Sequence, residues 1–184
     1  MPVEDHGDPV IRLATPADVP RLDELIAASV HRLQVADYSE AQRDGALGSV
    51  FGVDGRLIED RTYFVAVVGS RICACGGWSR RATPFGSDRS PARDDRILDP
   101  ERDAAKIRAV FVDPAHARSG LGTLLLKECE AAARSAGFRR AELTATLTGA
   151  KLFGVRGYVA AEEIALRLDN GAVLPLVRMV KLLE

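Results

Sequence analysis

Apolar residues recur along this chain in two rhythms, one of period two and one of helical period, and the order in which they alternate predicts the architecture. Residues 10–14 read as a short first strand. Thr15-Pro16-Ala17-Asp18 then supplies an N-cap, a proline at the first helical position and an acid at the third, which together predict a helix start. Behind it Leu22, Leu25, Ile26, Val30 and Leu33 return at helical spacing and leave Arg21, Asp23 and Glu24 to solvent. A weaker helical stretch covers 39–47. Two β-rich runs, 62–68 and 71–78, are joined by Gly69-Ser70, a pair suited to a two-residue hairpin turn.

Between 80 and 103 the chain is polar, rich in Arg and Asp and punctuated by proline. It is longer than a structureless connection usually runs, which suits a lid or a substrate wall. The apolar pattern resumes as a strand over 107–112, closed by Asp113-Pro114. A helix follows over 120–137, with Leu125, Cys129, Ala132 and Ala136 along one face and Gly137 as its stop. A strand over 141–147 and a short helix over 149–156, ended by Gly157, lead to a closing hairpin. It pairs 159–168 with 173–180 through Asn170-Gly171, and Pro175 predicts that the last strand lies at a sheet edge.

This order predicts an α/β fold, a mixed central sheet of about seven strands flanked by about four helices. Residues 1–9 mix Pro, Gly, His and acids without periodicity and read as a disordered tail. At 184 residues and 47% hydrophobic composition, the remainder, 10–184, reads as a single domain.

Charge and cysteine usage narrow the function classes. The 25 basic and 26 acidic side chains leave a net charge of −1, so no nucleic-acid partner is expected and any anion site must be local. Charged residues interrupt every hydrophobic stretch before it approaches the ~20 residues of a membrane span, so no membrane partner is expected. Three cysteines, Cys73, Cys75 and Cys129, make an odd count with no secretory leader ahead of them, which points to a reducing, cytoplasmic setting. Cys73 and Cys75 share one face of a strand without a second pair to complete a zinc site. His6, His31 and His116 are dispersed, so no metal is assigned.

The chemistry concentrates in 107–123, a strand, a seven-residue turn and a helix that opens on Gly120 and Gly122. A helix N-terminus presents unpaired N–H groups and the positive end of the helix dipole, and glycines let an anion approach the backbone. Arg118 and Thr123 add side-chain donors, and His116 lies in the same turn. The residues exclude a Walker loop, because no Gly-Lys-Ser/Thr follows. They fit a dinucleotide fingerprint poorly, although Glu142 sits near the place of a ribose-binding acid: Leu125 stands at the third glycine and the turn is too long. Taken alone, the two glycines are equally explained by close helix packing.

The segment resembles the acetyl-CoA signature of the GNAT superfamily of N-acetyltransferases, Gln/Arg-x-x-Gly-x-Gly/Ala, with Ala117 departing at the first position. The likeness extends to the Thr15-Pro16-Ala17-Asp18 helix start, to Gly76-Gly77-Trp78 and to a late Gly157-Tyr158. It implies acetyl-CoA as acyl donor. Val110, Phe111 and Val112 would pair with the pantetheine arm and steady the oxyanion, and Ala117, Arg118, Ser119, Gly120, Leu121, Gly122 and Thr123 would hold the pyrophosphate. It also implies direct attack by an amine in a ternary complex. Relatives carry a tyrosine acid four residues before the late glycine; here that position is Phe153, which lines the same site without a proton to give. Thr146, Thr148 and Tyr158 are the nearby hydroxyls. Lys106, Arg108 and Glu142 lie on the strands expected to frame the cleft, and Arg108 suits either a substrate carboxylate or an ordinary ion pair. Trp78 fits a pocket rim or the core, and Tyr38 and Glu40 fall where relatives cap the acceptor site. The expected acceptor is a small-molecule primary amine. The alternatives are protein N-termini or lysines, or a non-catalytic acyl-CoA module, and a homodimer accords with the family habit.

Overall fold

Strand β1 (Val10–Leu13) runs into Thr15, whose backbone N–H donates to the Asp18 carboxylate at 2.8 Å and closes a 3-10 turn over Pro16–Asp18. Arg12 grips the same carboxylate with two nitrogens at 2.8 and 2.9 Å, tying the strand to the helix start. The computed structural model describes residues 7–184, so the first six residues of the tail expected over 1–9 lie outside the described residues.

Helix α1 (Val19–Leu33) buries Leu22, Leu25, Ile26 and Val30. Helix α2 (Glu40–Ala46) opens on a capping box: Ser39 Oγ accepts the Gln42 N–H and the Gln42 side chain accepts the Ser39 N–H. Helix α3 (Gly55–Glu59) has no apolar period to announce it. It is a short turn capped by Asp54, whose carboxylate accepts the Arg56 N–H at 3.0 Å, and it makes the helices five among the described residues.

Strands β2 (Tyr63–Val68) and β3 (Arg71–Ser79) form the expected hairpin, with Gly69 at φ 59° in the turn. The polar stretch after β3 is irregular apart from one bridge between Arg81 and Ile97. Then come β4 (Ala105–Val112), a 3-10 turn (Pro114–His116), α4 (Leu121–Ser135), β5 (Arg140–Thr146), α5 (Leu147–Val155), β6 (Val159–Arg167) and β7 (Val173–Leu182).

The seven strands form one mixed sheet in the order β1-β2-β3-β4-β5-β7-β6, antiparallel everywhere except between β4 and β5. Helix α1 covers one face, against Tyr63, Val65 and Leu174, and α4 the other, against Ile107 and Leu143.

Two sequence expectations need correction. The last strand is not at an edge: β7 lies between β5 and β6. Pro175 is tolerated because pairing with β5 begins only at Leu176, opposite Thr146, so the missing N–H falls beyond the end of β5. The buried stripe of α4 is Leu121, Leu125, Cys129 and Ala133, with Leu126 beside it. Ala132 is only partly buried, and Ala136 is exposed because the helix has ended at Ser135.

Strand β4 opens the molecule. It pairs with β5 only through Ala105, Lys106 and Ile107, and then diverges. On its other side its register with β3 slips between Cys75 and Gly77, where β4 carries one residue more, a bulge with Ala109 at φ 53°. The Ala109 carbonyl accepts the Tyr63 hydroxyl at 3.3 Å, which helps hold that unusual backbone. Gly77 must be glycine in this arrangement, since a Cβ there would come within 2.8 Å of the Thr62 carbonyl and of the Tyr63 ring.

Candidate functional site

The divergence of β4 and β5 opens a cleft of about 870 Å³. Val110, Phe111 and Val112 line it, and beyond Ile107 this stretch of β4 has no strand partner on the β5 side. Backbone groups there are free to pair with an extended ligand.

At one end of the cleft stands the start of α4. Gly120 is the N-cap at φ 86°, and a Cβ added to it would meet no atom within 4 Å, so the space over it is open. Gly122 is snug: its Cβ would lie 3.1 Å from Leu152 and 3.6 Å from Val112. The first intrahelical bond runs from the Leu124 N–H to the Gly120 carbonyl, which leaves the amides of Leu121, Gly122 and Thr123 at the mouth.

The turn before α4 is braced from beneath. Asp113 accepts the Ala115 N–H at 3.0 Å and the Arg21 guanidinium at 2.6 Å, while Arg21 also donates to the Ile72 carbonyl. His116 sets Nε2 3.5 Å from Cys73 Sγ, and its buried Nδ1 has no partner among the described residues. Arg118 sits at φ 61°, a strained conformation for a non-glycine residue, with its side chain outside any ion pair among the described residues. Arg156 and Lys151 line the cleft as well, and Arg156 is likewise unpaired.

Ala117, Arg118, Gly120, Leu121, Gly122, Thr123 and Phe153 join β4 in lining this cleft. Ser119 does not; its hydroxyl turns back to the His116 carbonyl at 2.5 Å and stiffens the turn.

The strand candidates for proton transfer separate. Lys106 and Glu142 pair with each other at 2.5 Å, and Glu142 also accepts from Arg178 at 3.1 Å. They line a second groove, at the end where β4 and β5 still run together, and not the cleft. The sequence order put them on the right strands but could not say where the strands part. Arg108 does line the cleft, yet as neither an edge nor a surface ion pair. Its buried guanidinium donates to Asp54 at 2.8 Å, to the Gly86 carbonyl at 2.5 Å and to the Thr83 carbonyl at 3.3 Å.

Phe153 is buried with its ring edge-on to Tyr158, centroids 5.9 Å apart. The Tyr158 hydroxyl lies in the core beneath Lys181, outside the cleft, and burial with the nearby Glu130 charge pushes its pKa far up. Thr146 caps α5 by accepting the Gly149 N–H, and Thr148 donates to Asp37 at 2.7 Å. That hydrogen bond, aided by Lys151, keeps the Asp37 carboxyl below its usual range. Asp37 is the one carboxylate lining the cleft among the described residues. Trp78 belongs to the core, edge-on to Phe138 at 6.0 Å. Cys75 and Cys129 are fully buried, which pushes both thiols up and away from nucleophilic use.

Sequence reasoning missed the opposite wall of the cleft. Ser29, Leu33, Gln34 and Asp37 come from the end of α1 and the turn after it, and Val50, Phe51, Pro84, Phe85 and Gly86 from irregular connections. None lies in a motif; the length of the 80–103 segment hinted at a wall, and the resemblance placed Tyr38 and Glu40 near the acceptor site, but neither of these two lines the cleft.

The described residues contain no helix long and apolar enough to cross a membrane and no cluster of metal-ligating side chains. No curated protein matches the chain. Among solved structures it is similar to a GCN5-related N-acetyltransferase from Rhodopseudomonas palustris (TM-score 0.70, 21% identity, covering 96% of this chain and 97% of that one). It is also similar to the PaiA N-acetyltransferase from Thermoplasma acidophilum in complex with coenzyme A (TM-score 0.65, 14% identity, 95% and 99% covered). A third likeness is to YncA, a putative acetyltransferase from Salmonella typhimurium with its cofactor acetyl-CoA (TM-score 0.63, 19% identity, 97% and 95% covered). At these identities the structural likeness shows the fold alone. The family model described as acetyltransferase (GNAT) family matches residues 27–153, well over half of the sequence, and the chain belongs to that family.

Proposed function

We propose that this chain transfers the acetyl group of acetyl-CoA to a primary amine of a small molecule by direct attack in a ternary complex. The observation that carries the reading is one cleft joining an unpaired strand edge, Val110 to Val112, to a helix mouth opened by Gly120. The pyrophosphate would rest on the Leu121, Gly122 and Thr123 amides, with Arg118 and Arg156 supplying positive charge. The pantetheine arm would pair with the β4 edge, and a free N–H of that edge would donate to the carbonyl oxygen as it gains charge. The amine nitrogen forms the new C–N bond as the C–S bond breaks. The excess proton on nitrogen passes to water, and the electron pair leaves on sulfur.

The one carboxylate in the cleft among the described residues, Asp37, has a lowered proton affinity that suits an ion pair better than proton abstraction, and His116, which also lines the cleft, belongs to the phosphate turn with its Nε2 against Cys73. With Phe153 where relatives place an acid, the departing thiolate takes its proton from solvent, a small demand since a free thiol has a pKa of ~8.5. A small acceptor is favoured over nucleic acid by the net charge of −1, and a cytoplasmic setting by three free, buried cysteines. Acceptor-dependent release of free thiol from acetyl-CoA tests the reading. The missing acid favours one rival, a silent acyl-CoA-binding module, and that rival predicts saturable binding without thiol release.

A further inference from the structure

The acceptor end of the cleft differs in character from the phosphate end. Leu33, Val50, Phe51, Phe85 and Phe111 face it. Phe51 meets Phe111 edge-on, centroids 6.1 Å apart, so part of this wall is a fixed aromatic surface. Ser29, Gln34, Asp37 and Arg108 are polar groups on the same cleft; Asp37 is engaged by Thr148 and Lys151, and Arg108 and Gln34 do opposite things.

Arg108 is the group that would recognise a substrate carboxylate, but its fork is already committed to Asp54, Gly86 and Thr83. Both side chains of the ion pair are 2% exposed. A competing carboxylate would have to strand a buried Asp54, at a cost a surface contact does not repay. Gln34, the C-cap of α1, is 4% exposed, and its side-chain carbonyl oxygen has no donor among the described residues. A buried acceptor is satisfied in nearly every native protein, so a donor that arrives with the ligand is the natural complement.

From this pairing we infer that the acceptor is an apolar aryl- or alkylamine without a carboxylate, its body against Phe51, Phe85 and Phe111 and one amine N–H donated to the Gln34 side-chain carbonyl, whose amide turns to present it to the cleft. The inference rests on the acetyltransferase reading above. A primary amine has a second N–H and a lone pair left over, so the hydrogen bond to Gln34 orients the nitrogen without consuming its nucleophilicity.

The test compares 2-phenylethylamine and hexylamine with phenylalanine and spermidine, following thiol release, while acetyl-CoA binding is measured separately by calorimetry. The expected result is a kcat/KM for 2-phenylethylamine about 100-fold above that for phenylalanine, which differs by one carboxylate. Gln34→Leu should raise the KM for that amine about tenfold and leave the acetyl-CoA Kd unchanged. Preference for phenylalanine or spermidine, inactivity with both apolar amines, or an unaltered KM in the leucine variant overturns the inference and leaves the donor site standing. Absence of saturable acetyl-CoA binding overturns the acetyltransferase reading itself.

Discussion

Tyr38 caps the first free amide of α5: its hydroxyl oxygen accepts the Leu147 N–H at 2.9 Å. The hydroxyl proton goes to the Pro175 carbonyl at 2.6 Å, at the β7 position just beyond the end of β5. A single buried side chain thus ties the turn after α1 to the far side of the splay, and burial pushes its pKa up to about 12. Tyr38→Phe should cost about 1–3 kcal/mol in urea unfolding, because an amide and a carbonyl lose their partner together. A loss near zero would mean that water replaces the hydroxyl.

The Arg108–Asp54 pair carries a second expectation. Arg93 also reaches Asp54, at 3.2 Å, so the pair anchors two points of the irregular segment before β4. Arg108→Met should destabilise the chain by about 3–5 kcal/mol, since it leaves Asp54 buried and under-compensated. Adding Asp54→Leu should recover part of that loss. Strictly additive losses in a double-mutant cycle would contradict the coupling.

Much of this fold was legible in the sequence because its signals are local. The Thr15 to Asp18 start, the Gly69 turn and the Gly137 stop each fix a boundary through a backbone conformation or a cap. Pro175 misled because an edge and a gap beside a shorter neighbour satisfy the same missing donor. The cleft was half legible: the glycines of α4 sit at fixed offsets from a strand. Gln34, Phe51 and Phe85 become neighbours of that strand only through tertiary packing, and no spacing records it. The bulge at Ala109, two residues after the last pairing of β4 with β5, left no mark in the sequence either, since alanine is not a residue that favours a positive φ.

Asp18 offers a test by pH. Its carboxyl is drawn from 3.8 to about 2, chiefly by the Arg12 hydrogen bonds, so folding favours its ionised form. That contribution is fully present above the unfolded pKa near 3.8 and is lost as pH falls through the folded value near 2. The stability gap between wild type and Asp18→Asn should therefore hold steady above about pH 4–5 and close toward pH 2. A gap unchanged down to pH 2 would show that the ion pair contributes nothing.

Turnover should follow the acceptor's own ionisation. If the acceptor's proton passes to water, kcat/KM should climb about tenfold per pH unit until the amine's pKa is reached. The profile should shift when an amine of different basicity is supplied. A plateau near pH 6–7 that is the same for every amine would reveal an enzymatic base.

The central claim is that the mouth of α4 binds a diphosphate, and Gly120→Glu probes it most directly. A side chain there meets none of the protein's own atoms, so its cost to folding is confined to the positive φ, about 1–2 kcal/mol. Calorimetric titration with acetyl-CoA should give saturable binding to the wild type and a loss of at least about 100-fold in the folded variant, from a carboxylate set against phosphate. Equal affinity in both proteins would contradict the claim.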